Sequence, residues 1–314
     1  MKRALSVFSL LLLAGLSACG GGGGGSSASP YTGLTTPAVV TAANADNIAR
    51  QAFQGGDLGA NATLSPARSG DTRPVAERPI ALTLVRLLSG AANAAFSSPV
   101  AVRVPRPRST ASDTLFDGLG GRVDYTLNVN DQTGAFTGTF SFTNFHGDAG
   151  GVIDGPVSVS GQYVQGVGIT GILFIFQSVR IVDGAEDVTA IGTVDLVSGA
   201  GGGSAILDIV FVDNASRKTV WLSNVTLFET IGSGYIDTTL SGRIYLHDYG
   251  YVDMATLVPF HYPTGSTLPT GGQFVVTGKD TGVRLTVNSG TQYTLDVDSD
   301  GDSAYDDLTV VLSW

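Results

Sequence analysis

One cysteine, three histidines and 17 basic side chains in 314 residues leave this sequence short of several common chemistries. A single cysteine excludes an internal disulfide, so packing must supply the stability. The histidines, His146, His247 and His261, stand far apart with no zinc-ligand spacing between them. No Gly-x-Ser-x-Gly elbow accompanies His247-Asp248, so that pair is not read as part of a hydrolase triad. The acids are scattered and single out no carboxylate pair of the glycosidase type. With 27 acidic groups the net charge is −10, which argues against nucleic acid as a partner and against adhesion to anionic lipid by charge alone. Yet only 14% of residues are charged, too few for a chain kept disordered by charge. The opening apolar run is also too short to cross a bilayer as a helix.

What the N-terminus does have is the layout of an export signal. Lys2 and Arg3 precede an apolar stretch from Ala4 to Ala14, and Leu16-Ser17-Ala18-Cys19 follows. These four residues resemble the lipobox of bacterial lipoproteins. The resemblance covers the first 19 residues and implies a diacylglyceryl group on the Cys19 thiol, cleavage before Cys19, and acylation of the new amine. Two or three acyl chains make a stable anchor where one is marginal. Gly20, rather than Asp, follows the cysteine, which by the same resemblance favours the outer membrane of a Gram-negative envelope. Without Lys2 and Arg3 the remaining chain has 15 basic and 27 acidic side chains. Gly20 to Gly25 is an unbroken glycine run, followed by Ser26-Ser27-Ala28-Ser29-Pro30. A dozen residues of this composition have an r.m.s. reach of roughly 20 Å. The run has neither the preceding strand nor the following Lys-Ser/Thr of a phosphate-binding loop.

The expected organisation is a signal peptide at 1–18, a tether at 19–30, a helical and extended segment at 31–118 that packs on a sheet, and an antiparallel β domain at 119–314. Residues 41–54 read as a helix that Thr41 caps and Gly55-Gly56 stops. Residues 79–96 read as a second helix, started by Pro79, carried by Leu84, Leu87 and Leu88, and weakened at Gly90. Residues 97–118, with Pro99, Pro105 and Pro107, read as an extended connector. From Arg122 the period becomes two. Val123, Tyr125, Leu127 and Val129 alternate with polar residues, as do Phe136, Phe140 and Phe142, and later Ile236, Leu240, Ile244 and Leu246. About a dozen such strands predict a mainly β fold, an antiparallel meander forming a curved sheet, sandwich or barrel, with two short N-terminal helices. Ile172-Leu173-Phe174-Ile175-Phe176 and Ile209-Val210-Phe211-Val212 are apolar on both faces. They are expected to be central strands with the helices covering the second face. Residues 142–161 and 222–242 form a faint repeat, each reading as a strand, a turn and a second strand with Ile-Asp near its start.

One local pattern carries candidate chemistry. Asp296, Asp298 and Asp300, then Gly301, Asp302 and Asp307, match the spacing of an EF-hand loop. Calcium takes six to eight oxygen ligands, and alternate aspartates around a glycine kink can wrap such an ion. The flanks read as strands, so the segment resembles the strand-flanked DxDxDG calcium loops of extracellular proteins. The competing reading is a hairpin tip turned by Asp300-Gly301 with solvated acids. Aromatic clusters at 245–251 and 260–262 suit strand packing, or a contact surface for a polysaccharide or protein partner. Leu308, Val310, Leu312 and Trp314 resemble the closing strand of outer-membrane barrels. The favoured expectation is a non-enzymatic, lipid-anchored envelope protein with calcium at residues 296–307. An integral barrel or transport component and a secreted-type hydrolase are the alternatives.

Overall fold

A computed structural model describes residues 30–57, 80–97, 109–146, 151–165, 167–184, 186–199, 201–264, 266 and 268–313. Cys19, the glycine run, Pro79 and Trp314 lie outside them. Two helices, α1 (Ala45–Asp57) and α2 (Ile80–Ser97), precede the strands. The strands are β1 (Ser109–Phe116), β2 (Arg122–Val129), β3 (Ala135–His146), β4 (Val152–Val164), β5 (Gly168–Asp183), β6 (Glu186–Gly199) and β7 (Gly202–Asp213). They continue with β8 (Thr219–Gly232), β9 (Tyr235–Leu246), β10 (Gly250–Pro263), β11 (Gly271–Thr277), β12 (Gly282–Ser289), β13 (Gln292–Asp298) and β14 (Leu308–Ser313). Each pairs antiparallel with the next, in one sheet of order β1 to β14 that is not closed. The protein is therefore a mainly β meander. Of the three expected shapes, the curved open sheet is the one it adopts.

Period-two patterning decides which face turns inward. Val123, Tyr125 and Leu127 on β2 and Phe140 and Phe142 on β3 are buried, together with Leu285 on β12 and Leu295 on β13. The residues between them face outward and pair across strands, as Ser112 does with Thr126 and Thr114 with Asp124. Both helices lie against the inward face. Phe53 of α1 packs edge-on against Phe260, with ring centroids 5.0 Å apart, and lies 6.3 Å from Phe274. Phe96 of α2 meets Phe136 at 4.6 Å and stacks on Tyr163 at 5.6 Å. The small Ala91, Ala92 and Ala95 are fully buried and let α2 sit close to the sheet. One continuous core joins helices and strands.

This arrangement corrects several expectations. The helices share the face of Ile172, Phe174 and Phe176, so they do not cover the second face of the apolar strands. Ile175 stays 44% exposed on the outside. Val210 is buried on the outer face opposite Trp221, while Ile209 and Phe211 face the core. The connector at 97–118 contains β1, which pairs with β2 over its whole length. Asn44, not Thr41, caps α1: its carbonyl accepts the Ile48 N–H and its side chain takes the Thr41 N–H. α1 runs through Gly55-Gly56 to Asp57. α2 spans the exposed Gly90, as expected, because burial of the opposite face outweighs the weak local propensity. The repeat is not a structural one. Asn144 and Asn224 both sit at β-bulges with positive φ, but β3 and β8 run in opposite directions, so the turns that follow lie at opposite rims of the sheet. Bulges recur between β3 and β11 and let the long strands bend around the helices.

The turns after odd-numbered strands form one rim, and residues 30–44 cross it. Tyr31 starts on the outer face against Trp221 and Tyr245. The strap then exchanges hydrogen bonds with Tyr251 through Thr36 and Ala38, and Ala38 accepts the Lys279 N–H. Ala38 and Val40 are buried and close the core at this end. Gly250, at φ +93°, admits the crossing, since a Cβ there would lie 2.1 Å from the Thr36 carbonyl oxygen. Inside, the Tyr293 hydroxyl donates to Asp46 and accepts from Arg50, and Arg50 also reaches the Ser313 carbonyl, tying α1 to β13 and β14.

Truncating Phe53 to alanine should therefore cost about 3–5 kcal/mol in urea unfolding, as for a large aromatic in a packed core. Ile175→Ser, on the uncovered face, should change stability by no more than about 0.5 kcal/mol. Equal effects at the two positions would contradict the placement of α1 against the sheet.

Candidate functional site

The acidic segment lies at the rim that the strap crosses. β13 ends at Asp298 and β14 begins at Leu308, so nine residues join them rather than a two-residue turn. Gly301, at φ +86°, lies against the β11–β12 turn, and a Cβ there would come within 2.4 Å of the Asp280 carbonyl oxygen. Tyr305 anchors the other side, with the Arg284 guanidinium 5.1 Å from its ring centroid.

Of the five aspartates, Asp298, Asp300 and Asp307 converge, with one carboxylate oxygen from each within 4.8 Å of the others. Among the described residues they form a grouping that can hold a metal ion. Asp298 is only 5% exposed and accepts the N–H groups of Gly301 and Ser303. Asp307 accepts the N–H groups of Ser299 and Asp300 and the Ser299 hydroxyl. Those donors, the Ser299 N–H foremost, hold its carboxyl below the usual carboxylate range. The other two acids are used elsewhere. Asp296 lies within β13 and binds Arg284 at 2.9 Å and the Thr309 hydroxyl at 2.9 Å. Asp302 accepts the Ala304 N–H at 2.7 Å. The spacing of an EF-hand loop is thus present without its convergence, because the extended strand sets Asp296 about 6.8 Å back from Asp298 on the same face, where Arg284 and Thr309 engage it.

The histidines serve local structure. The His146 ring lies 2.6 Å from Asp117, whose carboxylate also accepts the N–H groups of His146, Leu119 and Gly121. These donors hold Asp117 far below its ordinary value despite its burial. His261 pairs with Asp237 at 2.8 Å and lies over Tyr235. His247 accepts the Thr219 N–H, while its neighbour Asp248 binds Lys218, so neither contact is the hydrogen bond of a His–Asp dyad.

A row of aromatic residues stands on the outer face. Trp221, Tyr245 and Tyr251 sit opposite one another on β8, β9 and β10. Trp221 and Tyr245 stack at 4.5 Å, and the Trp221 indole donates to Asp208. Arg243 lies 3.9 Å above the Tyr251 ring and binds Asp253 through two nitrogens. The cluster at 245–251 was legible as aromatic-rich. Trp221 and Tyr31 were not, since only strand register and the strap bring them in. The cluster at 260–262 divides, with Phe260 and Tyr262 in the core and His261 outside.

Fold and site together define an open antiparallel meander wound on two helices, with ion pairs, hydroxyl rows and exposed apolar side chains on its convex face and an acidic loop at one rim. Comparison with protein-family models, curated proteins and solved structures found no match to this chain.

The lowered value of Asp307 sets a pH test. A carboxylate depressed in the folded state adds stability above its unfolded value of about 4, and the gain disappears as pH falls through the depressed value. In calcium-free buffer Asp307→Asn should melt below the parent protein at pH 7, and the two should converge in acid. A gap constant with pH would show that the loop gains nothing from this charge.

Proposed function

We propose that the protein is a lipid-anchored component of a bacterial envelope, held in the outer membrane through Cys19, with a β body that serves binding or scaffolding rather than catalysis. The observation that carries this reading is the polarity of the sheet. Its concave face is apolar and filled by α1 and α2, and its convex face bears hydroxyl ladders and the ion pairs Arg180–Asp187 and Arg243–Asp253. A transmembrane barrel has the reverse arrangement, apolar toward lipid and polar within. Such a body suits water, and attachment then falls to the lipobox. The engagement of all three histidines in turn and strand contacts favours a non-enzymatic role.

Calcium at Asp298, Asp300 and Asp307 is part of the proposal. The three convergent carboxylates repel one another until a cation joins them, and the loop braces β13 against β11 and β12. The ion's role here is structural. A partner of polysaccharide or protein is the kind of ligand that a tethered β surface would offer its contacts to.

Two measurements test the reading. Cys19→Ala should move the protein from the membrane fraction to the soluble fraction of the envelope, and a variant that stays with the membranes would remove the lipid anchor. Calcium at a hundred times its dissociation constant should raise the stability of that soluble variant by about 2.7 kcal/mol. Asp298→Asn should abolish the gain. A melt indifferent to calcium and chelator would discard the ion site and leave the anchor untouched.

A further inference from the structure

We infer that an apolar belt on the convex face, built from Val197, Ile206, Phe228, Leu257 and Val258, rests on the surface of the bilayer to which the chain is tethered. The inference rests on the lipid-anchor reading above.

Strand register brings the belt together. Val197 on β6 lies opposite Ser204 on β7, Ser204 opposite Phe228 on β8, and Phe228 opposite Thr239 on β9. Leu257 and Val258 follow on β10, where the Thr256 hydroxyl is fixed to the backbone of Leu240. Ile206 stands one row away, opposite Thr226. Large apolar side chains thus recur on alternate strands, about 9.6 Å apart, with small hydroxyl residues between them. All five are between 43% and 55% exposed, although the concave face of the same strands is fully packed.

Charge is distributed unevenly over this face. Toward the strap-side rim lie Asp208, Arg243–Asp253 and Lys218–Asp248. On the far side, the outward positions Ser204, Ile206, Thr226, Phe228, Thr230, Thr239 and Ser241 carry no charge. Asp195 stands opposite Ile206 within the belt, and the Asp237–His261 pair, opposite Thr230, borders it on the side away from the strap. Trp221, Tyr245 and Tyr251 stand at the strap-side rim, with Arg243 and Asp253 between them and the belt. An apolar face of this kind enters the headgroup region to a depth of about 5–10 Å.

The origin of the tether says what covers the belt. Tyr31 is fixed on this same convex face against Trp221. Phe228 lies on the same strand about 20 Å further along. Eleven residues separate Cys19 from Tyr31, and a chain of that length spans at most about 40 Å. An acylated Cys19 therefore keeps the bilayer within reach of the belt at all times. Weak apolar contact suffices under such a tether, because the second contact is intramolecular. The belt carries no lysine or arginine, which fits a neutral phospholipid surface rather than an anionic one.

The test uses the full acylated protein in phosphatidylcholine vesicles, with Phe228→Trp as the reporter and the parent protein as the baseline. Phosphatidylcholine brominated near the head of its acyl chains should remove most of the added tryptophan emission. Adding Val197→Ser and Leu257→Ser should restore it. The mass of the N-terminal fragment from the same preparation reports acylation separately. An acylated protein whose added emission survives bromination overturns the docking and leaves the anchor standing. A protein without acyl groups overturns both. If the acylated protein sediments as a dimer in detergent and Phe228→Asp makes it a monomer, the belt is a contact between copies, and membrane docking falls.

Discussion

The burial of one face of a very wide sheet governs this molecule. Fourteen strands with a single apolar face cannot remain flat in water, and that face must find cover along its whole width. α1 and α2 supply it through Phe53, Ile48, Leu84, Leu88 and the alanines of α2. The strands bend around the helices, and the bulges and positive-φ residues in β3 to β11 make the bending possible. The rim strap completes the enclosure with Ala38 and Val40, where the helices alone would leave the core open.

This enclosure has a functional consequence. With the interior filled, the surfaces left for recognition are the convex face and the rims. The acidic loop, the strap and the His146–Asp117 turn all occupy the rim of odd-numbered turns. Tyr31, near the start of the described chain, lies beside that rim on the outer face. The proposed anchor would therefore lead off from the side of the body that carries the acidic loop.

The strand faces were legible because period two is a direct imprint of one-sided burial. Val123, Tyr125 and Leu127 point inward as their alternation required. The helices were legible to within a few residues for the same reason. The cover of Ile172 to Phe176 was misassigned because an apolar run on both faces does not tell which face a distant helix will choose. Local spacing also overstated the acidic site. Asp296 and Asp302 stand at ligand positions in the sequence, yet Arg284 and the Ala304 N–H engage them instead.

Local sequence encodes the β meander, the two helices, the resemblance of Leu16-Ser17-Ala18-Cys19 to a lipobox and the clustering of acids near the C-terminus. Each of these is written in neighbouring residues, through periodicity, turn chemistry or a contiguous motif. Long-range packing settles that the sheet stays open, that the helices fill its concave side, and that three of five aspartates converge. It also decided that Tyr31 meets Trp221 across 190 positions of chain and that scattered valines, leucines and a phenylalanine align as one belt. Those outcomes depend on strand register and on sheet curvature, which arise from contacts between residues far apart in the chain and leave no mark in any local window.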